Sequence, residues 1–459
     1  MPRITRRTIF ERLSHPEVVK LARLIFVRHS LPRSKRELID CLVSTRRFNT
    51  TQILELLTCS ELDRLCLELN LSPGRRKSIS IARLTQDSLA EAKELVKDSL
   101  KKQGYGIQNG LIIPPSLDTK AKVREMHSLA VQHKREAAKA ALAPHESELL
   151  SFIADGNEVN PIDVRPTLRF VESRSTDELL FRYAALHWNI PISSGYGRRL
   201  RALVVDESND KLIGLIGLCD PVYNLRSRDD WVGWTQSAKS TGIKRIVDAY
   251  VLGAVPPYSH LLCGKLVALL ACSSEVQNHF AEKYRDTTSL ISKSKHDGCL
   301  AAITTTSALG RSSIYNRLKH SSTLAYHPIG YTVGTGDFQF LNGTYELIRD
   351  AVSQYGNATA KHANWGAGFR NRREVVQEFL KAADIPQNAL RHGIRRQVFI
   401  APLGRNAPKF LCGEDGTLDA FEWTTDELAE AFLARWLLPR SNRDSNYRSF
   451  RKADWRLWT

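Results

Sequence analysis

Over the first 150 residues, apolar positions recur every three or four residues, the spacing of helices with one buried face. Further on they run together or alternate in short stretches, as strands do. Strand-like runs fall at Leu200–Val205, Leu212–Leu218, Arg245–Val255, Cys299–Thr306 and Ile329–Val333. Helical runs lie between them at Thr176–Trp188, Gly264–Ala271 and Ser312–Lys319. The runs ending at Asp206 and beginning at Lys211, joined by Glu-Ser-Asn-Asp, predict a β-hairpin. A stretch rich in Ala, Lys, Arg and Glu, Asp118–Ala143, predicts a connecting helix closed by Pro144. The expected class is α+β. A helical region at 1–110 is followed by a helical connector at 111–150, a mixed α/β core at 151–345 and a basic extension at 346–459.

Two N-terminal stretches resemble each other, Leu21–Leu42 and Leu62–Leu84, offset by about 41 residues. Each reads as a short amphipathic helix, a Pro-containing turn, a basic cluster and a second short helix. The second copy resembles the SAP-type DNA-binding helical hairpin, with Leu62, Leu65, Leu69 and Leu71 on its first helix. Gly74, Arg75, Arg76 and Lys77 sit at its turn, where helix-start amides and cations can meet phosphate. An ordinary helical hairpin with a solvated basic turn is the alternative.

Charge sharpens the picture. Lys plus Arg is 66 against 49 for Asp plus Glu, a formal charge of +17 in 459 residues, which favours a polyanionic partner. With 42% apolar and 25% charged residues, the chain is not generally disordered. No apolar run reaches the roughly 18 residues of a membrane span, and the basic start lacks the apolar core of a secretory signal. The eight cysteines form no CxxC pair, so reduced thiols in a cytoplasm are expected. No HxxxH pair, Ser-His-Asp spacing or PD-(D/E)xK motif is present, and no metal site is assigned.

Polar, Gly-containing clusters adjoin the strand-like runs: Gly195-Tyr-Gly-Arg198-Arg199, Arg228-Asp-Asp-Trp-Val-Gly-Trp, and Asp248-Ala-Tyr-Val-Leu-Gly-Ala-Val-Pro-Pro-Tyr. Gly264-Lys265, Gly310-Arg311-Ser312 running on to Arg317, and Arg391-His-Gly-Ile-Arg395-Arg396 complete the set. Arginines beside apolar strands must pair with carboxylates or hold an anion. The pair Asp229-Asp230, read as lying on a strand, would point to opposite faces and hold no shared metal.

The order hairpin, strand, loop, helix at Gly264, strand, helix, strand is similar to the N-acetyltransferase (GNAT) fold. That resemblance implies an acyl-CoA pyrophosphate on the helix start near Lys265, with Tyr315 as general acid and Asp248 as base. The superfamily's Gln/Arg-x-x-Gly-x-Gly/Ala pyrophosphate loop is absent here, where His260-Leu-Leu-Cys-Gly-Lys offers one glycine.

Taken together, the motifs resemble the DruA-like proteins of the Druantia anti-phage defence system. They are Gly195-Tyr-Gly-Arg-Arg, Arg228-Asp-x-Trp-Val-Gly-Trp, the Asp248–Tyr258 run with Gly264-Lys-Leu, Thr306–Leu318 and Gly330-Tyr-Thr-Val-Gly-x-Gly. The family implies a bacterial source and a place beside a large helicase, without a settled reaction. Two readings follow. In the first, the chain binds nucleic acid, DNA foremost, through Arg75, Arg76, Lys77, Arg198, Arg199, Arg228, Lys265, Arg311, Ser312, Arg317, Arg395 and Arg396. Its tail, which interleaves Arg with Tyr447, Trp455 and Trp458, would stack bases. In the second, the chain is a CoA-dependent acyltransferase or related transferase acting on nucleic acid or a nucleotide. Whether it is an enzyme, and with which cofactor, stays open at this point.

Overall fold

The computed structural model describes residues 5–26, 31–45, 48–74, 76–289, 293–355 and 372–458. They gather into two units, Met1–Ser116 with Thr335–Gly393, and Leu117–Gly334 with Ile394–Thr459. The C-terminal stretch expected as one extension is thus divided between the two. The class is α+β, as the hydrophobic pattern predicts.

Side-chain caps set where the N-terminal helices begin. Thr5, Ser34, Asn49 and Thr58 each accept an amide three residues on, opening Arg6–Arg12, Lys35–Ser44, Thr50–Leu54 and Cys59–Glu68. Ile9, Phe10, Leu21, Leu42, Leu62 and Leu65 are shut completely from solvent and make the core of this unit. Both copies of the repeat carry two successive helices, His15–Ile25 with Lys35–Ser44 and Cys59–Glu68 with Lys77–Lys102. The expected short second helix is corrected in the second copy, where the helix runs 26 residues. No Gly or Pro interrupts it, and Leu84, Ala92, Val96 and Leu100 are buried at helical spacing along it. It departs there from the SAP-type pattern of two short helices. A small hairpin follows, β1 (Gly106–Gln108) with β2 (Leu111–Ile113).

The second unit is built on a seven-stranded sheet. Its strands are β3 (Pro166–Phe170), β4 (Arg199–Asp206), β5 (Lys211–Cys219), β6 (Ile246–Ala254) and β7 (Ala302–Thr306). After a minor pair, β8 (Lys319–His320) with β9 (Thr323–Leu324), come β10 (His327–Tyr331) and β11 (Gln397–Pro402). The spatial order is β10-β11-β7-β6-β5-β4-β3. Only β6 and β7 pair in parallel, with helices Gly264–Leu270 and Ser274–Tyr284 in the crossover. The expected hairpin is β4–β5.

One sheet face packs Ile246, Ala302 and Ile400 against Val232 and Phe410. The other packs Val247, Ile303 and Phe399 against Tyr315, Leu266 and Phe280. No helix of the described residues is long and apolar enough to cross a membrane.

Three local expectations are corrected. Ser312–Lys319 is not helical: the Ile314 N–H donates to Ser312 Oγ at 3.1 Å, Asn316 Nδ2 donates to the Ser312 carbonyl, and Arg317 has φ +60°. Short polar side chains compete there with the helical ladder, so Ser312 caps no helix. Arg228, Asp229 and Asp230 lie on the helix Arg226–Val232, not on a strand. The aromatic tail is not free to stack bases. Tyr447, Trp455 and Trp458 are buried, Trp455 lies 3.6 Å from the His187 ring, and Arg443, Arg448, Arg451 and Arg456 face outward. Buried Glu146 holds the tail end by accepting the Leu457 and Trp458 amides and the Tyr183 hydroxyl.

Candidate functional site

Strand register assembles the site. Arg199 pairs with Cys219, Cys219 with Asp248, and Asp248 with Thr304, so one residue from each of β4, β5, β6 and β7 lies in a single row. Paired residues project to the same face. Two of the motifs singled out in the sequence, those of Gly195–Arg199 and Asp248–Tyr258, therefore meet at one end of the sheet.

Gly195 and Gly197 fix the rim. Both have positive φ, +70° and +62°, and a Cβ on Gly197 would strike the Asp220 carboxylate, so the turn needs glycine at that point. Between them Tyr196 turns outward and is 48% exposed, while its carbonyl accepts the Asp220 amide at 3.1 Å. Asp220 is held by Arg198, whose Nε lies 2.6 Å from Oδ1 and whose Nη1 donates to the Lys244 carbonyl at 2.7 Å. Arg228 is completely buried: it donates to the Val222 and Tyr223 carbonyls at 2.7 and 2.9 Å and to Asp229 at 2.7 Å. Lys239 reaches the other Asp229 oxygen at 2.7 Å. Arg198 and Arg228 thus hold the turn 220–223 in place and are not open cations.

That turn presents the Val222 amide to Asp248 Oδ2 at 2.9 Å, and the Thr304 hydroxyl donates to Oδ1. Among the described residues Asp248 has no ion-pair partner; burial is the main cause raising its carboxyl to about 7. The folded state therefore holds a proton that the unfolded chain releases near pH 4. By linkage, stability falls as pH rises between about 4 and 7, by roughly 3–4 kcal/mol. Asp248→Asn should lack that fall. Denaturant titrations of both proteins at pH 5 and pH 8 check this, and parallel curves would remove the raised carboxyl. His187, which burial lowers to about 3, adds a slope of opposite sign that cancels in the comparison.

Next to the row, Arg199, Arg201 and Lys283 line an open groove of about 300 Å³ with Glu172, Glu178 and Tyr284. Arg201 pairs with Glu178 at 3.1 Å, Lys283 donates to the Arg199 carbonyl at 3.1 Å, and Arg199 is exposed. Burial lowers the Lys283 ammonium, and the like charges of Arg201 and Arg199 lower it further. Arg201 closes the Gly195-Tyr-Gly-Arg-Arg-Leu-Arg cluster of the sequence, whereas Lys283 belongs to no sequence motif. Lys283 is separated from Arg199 by 84 positions, so only the fold brings them together.

The remaining residues fall elsewhere. Arg75 lies outside the described residues; Arg76 is exposed at the start of Lys77–Lys102, and Lys77 donates to the Glu55 carbonyl. The Gly74 amide donates to Ser80 Oγ at 2.9 Å, so it is not open to phosphate. Lys265 Nζ donates to the Ser313 and Ile314 carbonyls at 3.0 and 3.1 Å. Arg311 and Arg317 are exposed, Arg395 lies 5.5 Å from the Tyr331 ring, and Arg396 Nη2 contacts His127 Nε2 at 3.1 Å. Tyr315 is 5% exposed, between Tyr326 and Phe399, with burial pushing its phenol up to about 12. It approaches Thr305, whereas Asp248 meets Thr304. Neighbours along a strand face opposite ways, so the sheet separates the expected acid from the expected base. Among the described residues, no group of three or more His, Cys, Asp or Glu is placed to hold a metal.

The family model of Druantia protein DruA matches residues 117–413, which span every strand of the large sheet and all residues of the row. The chain is also 40% identical over 366 residues to Druantia protein DruA of Escherichia coli (strain UMEA 4076-1), covering 80% of this chain and 91% of that protein. No solved structure matches. By the length of the family match and the extent of the identity, this chain belongs to the Druantia DruA family.

Proposed function

We propose that this chain is the nucleic-acid-binding component of a Druantia anti-phage defence system, with DNA as its first partner and a helicase and other defence subunits beside it. Family membership supports the defence context. The observation that carries nucleic-acid binding is the groove of Arg199, Arg201 and Lys283, open to solvent, with three cations against the two carboxylates Glu172 and Glu178. The net charge of +17 agrees with it. Arg311, Arg317 and Arg395, with Arg76 in the helical unit, are further exposed cations for phosphates.

Binding should weaken steeply with salt, because each neutralised phosphate releases counterions. Arg199→Gln with Lys283→Gln should flatten the log–log slope by roughly 0.7–0.9 for each phosphate that is no longer neutralised. Fluorescence anisotropy with duplex and single-stranded oligonucleotides across a salt series measures this. Absence of binding at low salt, or a slope the double variant leaves unchanged, sinks the reading.

Acyl transfer draws on one observation, the parallel β6–β7 pair with its crossover helices. The residues present do not fit a CoA pyrophosphate: Lys265 is bound to backbone carbonyls, and Tyr315 lies in the core across the sheet from Asp248. No acyl-transfer step is derived.

A further inference from the structure

Asp248 is a partly exposed carboxylate to which nothing in the proposed phosphate groove assigns a role. Each of its oxygens already accepts one hydrogen bond, from Val222 N–H and from the Thr304 hydroxyl. A carboxylate oxygen has two acceptor directions, so one remains on each. A carboxylate's paired oxygens suit a flat group that offers two parallel N–H donors. The rim is aromatic: Tyr196 and Tyr223 are 48% and 49% exposed, and Val222 between them is 43% exposed. Both tyrosines are tied to the turn that Asp248 anchors, Tyr196 through Asp220 and Tyr223 through Val222. Exposed aromatic rings around a polar floor are what an unstacked base needs. The cationic groove begins at Arg199, two strands from Asp248, roughly 10 Å away.

We propose that this mouth takes up an unpaired guanine of a nucleic-acid strand. Its N1–H and N2–H donate to the two Asp248 oxygens, its ring lies against the rim tyrosines, and the adjoining backbone runs to Arg199 and Lys283. Guanine is the base whose pairing edge carries two adjacent N–H donors; adenine, cytosine and thymine each place an acceptor there. The inference deepens the nucleic-acid reading and rests on it.

The groups that face Asp248 are Arg228 from the helix Arg226–Val232, Asp220 and Cys219 at the end of β5, and Tyr196 from the rim. Burial raises the Cys219 thiol to about 11 and pushes the Tyr196 phenol up as well, so both stay neutral near pH 7. Arg228 is paired with Asp229 and Asp220 with Arg198, and burial raises the Asp248 carboxyl to about 7.

The test uses the full chain and labelled oligothymidylate strands, one all-thymine and others with a single central guanine, inosine, adenine or cytosine. A good bidentate base contact gives about tenfold discrimination. Wild type should therefore bind the guanine strand about tenfold tighter than the all-thymine strand. Inosine, which lacks the N2 amino group, should fall between. The preference should shrink as pH drops below 7, when Asp248 takes up a proton. Asp248→Asn should erase the preference while leaving all-thymine binding intact, and Tyr196→Ala should weaken capture of every base. Equal wild-type affinity for all strands overturns the guanine site but leaves phosphate binding standing. If no strand binds, the nucleic-acid reading fails, and a titration with guanosine and inosine monophosphates decides the site alone. Selective uptake of the guanine nucleotide then upholds it, and equal or absent uptake overturns it.

Discussion

Tyr315→Ala should cost roughly 3–5 kcal/mol of stability, while Tyr315→Phe should cost about 1 kcal/mol or less. The ring lies in the core 5.0 Å from Tyr326 and 5.1 Å from Phe399, so truncation leaves a cavity lined by side chains that cannot close it. Phe keeps that volume and loses only the hydroxyl's interaction with Thr305. Thermal and denaturant melts read the stability difference, and phage-protection assays read the functional one. Because the sheet places Tyr315 away from Asp248, the Phe variant should protect as well as wild type. A stable Phe variant that loses protection would restore a proton-transfer role for the phenol and reopen the acyltransferase reading.

Arg228→Ala should destabilise the second unit by about 3–5 kcal/mol, the usual cost of breaking a buried charge pair from one side. The guanidinium is completely buried, lies 5.3 Å from the Trp234 ring and serves three acceptors. Its loss leaves the Val222 and Tyr223 carbonyls without their donor and Asp229 with Lys239 alone. Arg228→Lys should recover little, since a single ammonium cannot reach all three acceptors in the guanidinium's fixed planar geometry. The Val222 amide on that turn and the Arg228 charge both hold the Asp248 carboxyl down against burial, so Arg228→Ala should raise it further and enlarge the Asp248-dependent fall in stability as pH rises. Denaturant unfolding of each variant at pH 5 and pH 8 reads both effects. An Arg228→Ala protein as stable as wild type would mean that the turn 220–223 is held by something other than this cluster.

Much of the second unit is legible in the chain. The runs predicted near 200, 212, 245 and 329 coincide with β4, β5, β6 and β10 to within a few residues. The first three are largely buried strands, which must carry a short β-branched or apolar stretch, and β10 is an edge strand. Strands β3 and β11 do not stand out in this way. Pro166–Phe170 mixes Thr and Arg into an edge strand, and Gln397–Pro402 is a short apolar run far along the chain from the strands it joins. The false helix at Ser312–Lys319 has a specific origin: Tyr315 and Leu318 are both buried at i, i+3 spacing, which imitates a helical face. The local bonds of Ser312 and Asn316 decide the backbone there, and periodicity does not reveal them.

The site divides along the same line. Gly195-Tyr-Gly-Arg-Arg and the Asp248 run stand out in the sequence by composition, and the positive φ at both glycines is what such a motif foretells. Arginine type alone does not separate working cations from structural ones. Arg198 and Arg228 are consumed by carboxylates and carbonyls, Lys265 by carbonyls, and Arg199 remains exposed. By itself the sequence determined the helical and strand periods, the basic charge and the glycine turns, since each follows from residues near one another in the chain. Only the tertiary structure decided that Arg199, Cys219, Asp248 and Thr304 share a row, that Tyr315 faces away from them, and that Lys283 joins Arg199. The physical reason is that register and sheet face are set by pairing between distant strands, where a slip of one residue would reverse every side chain.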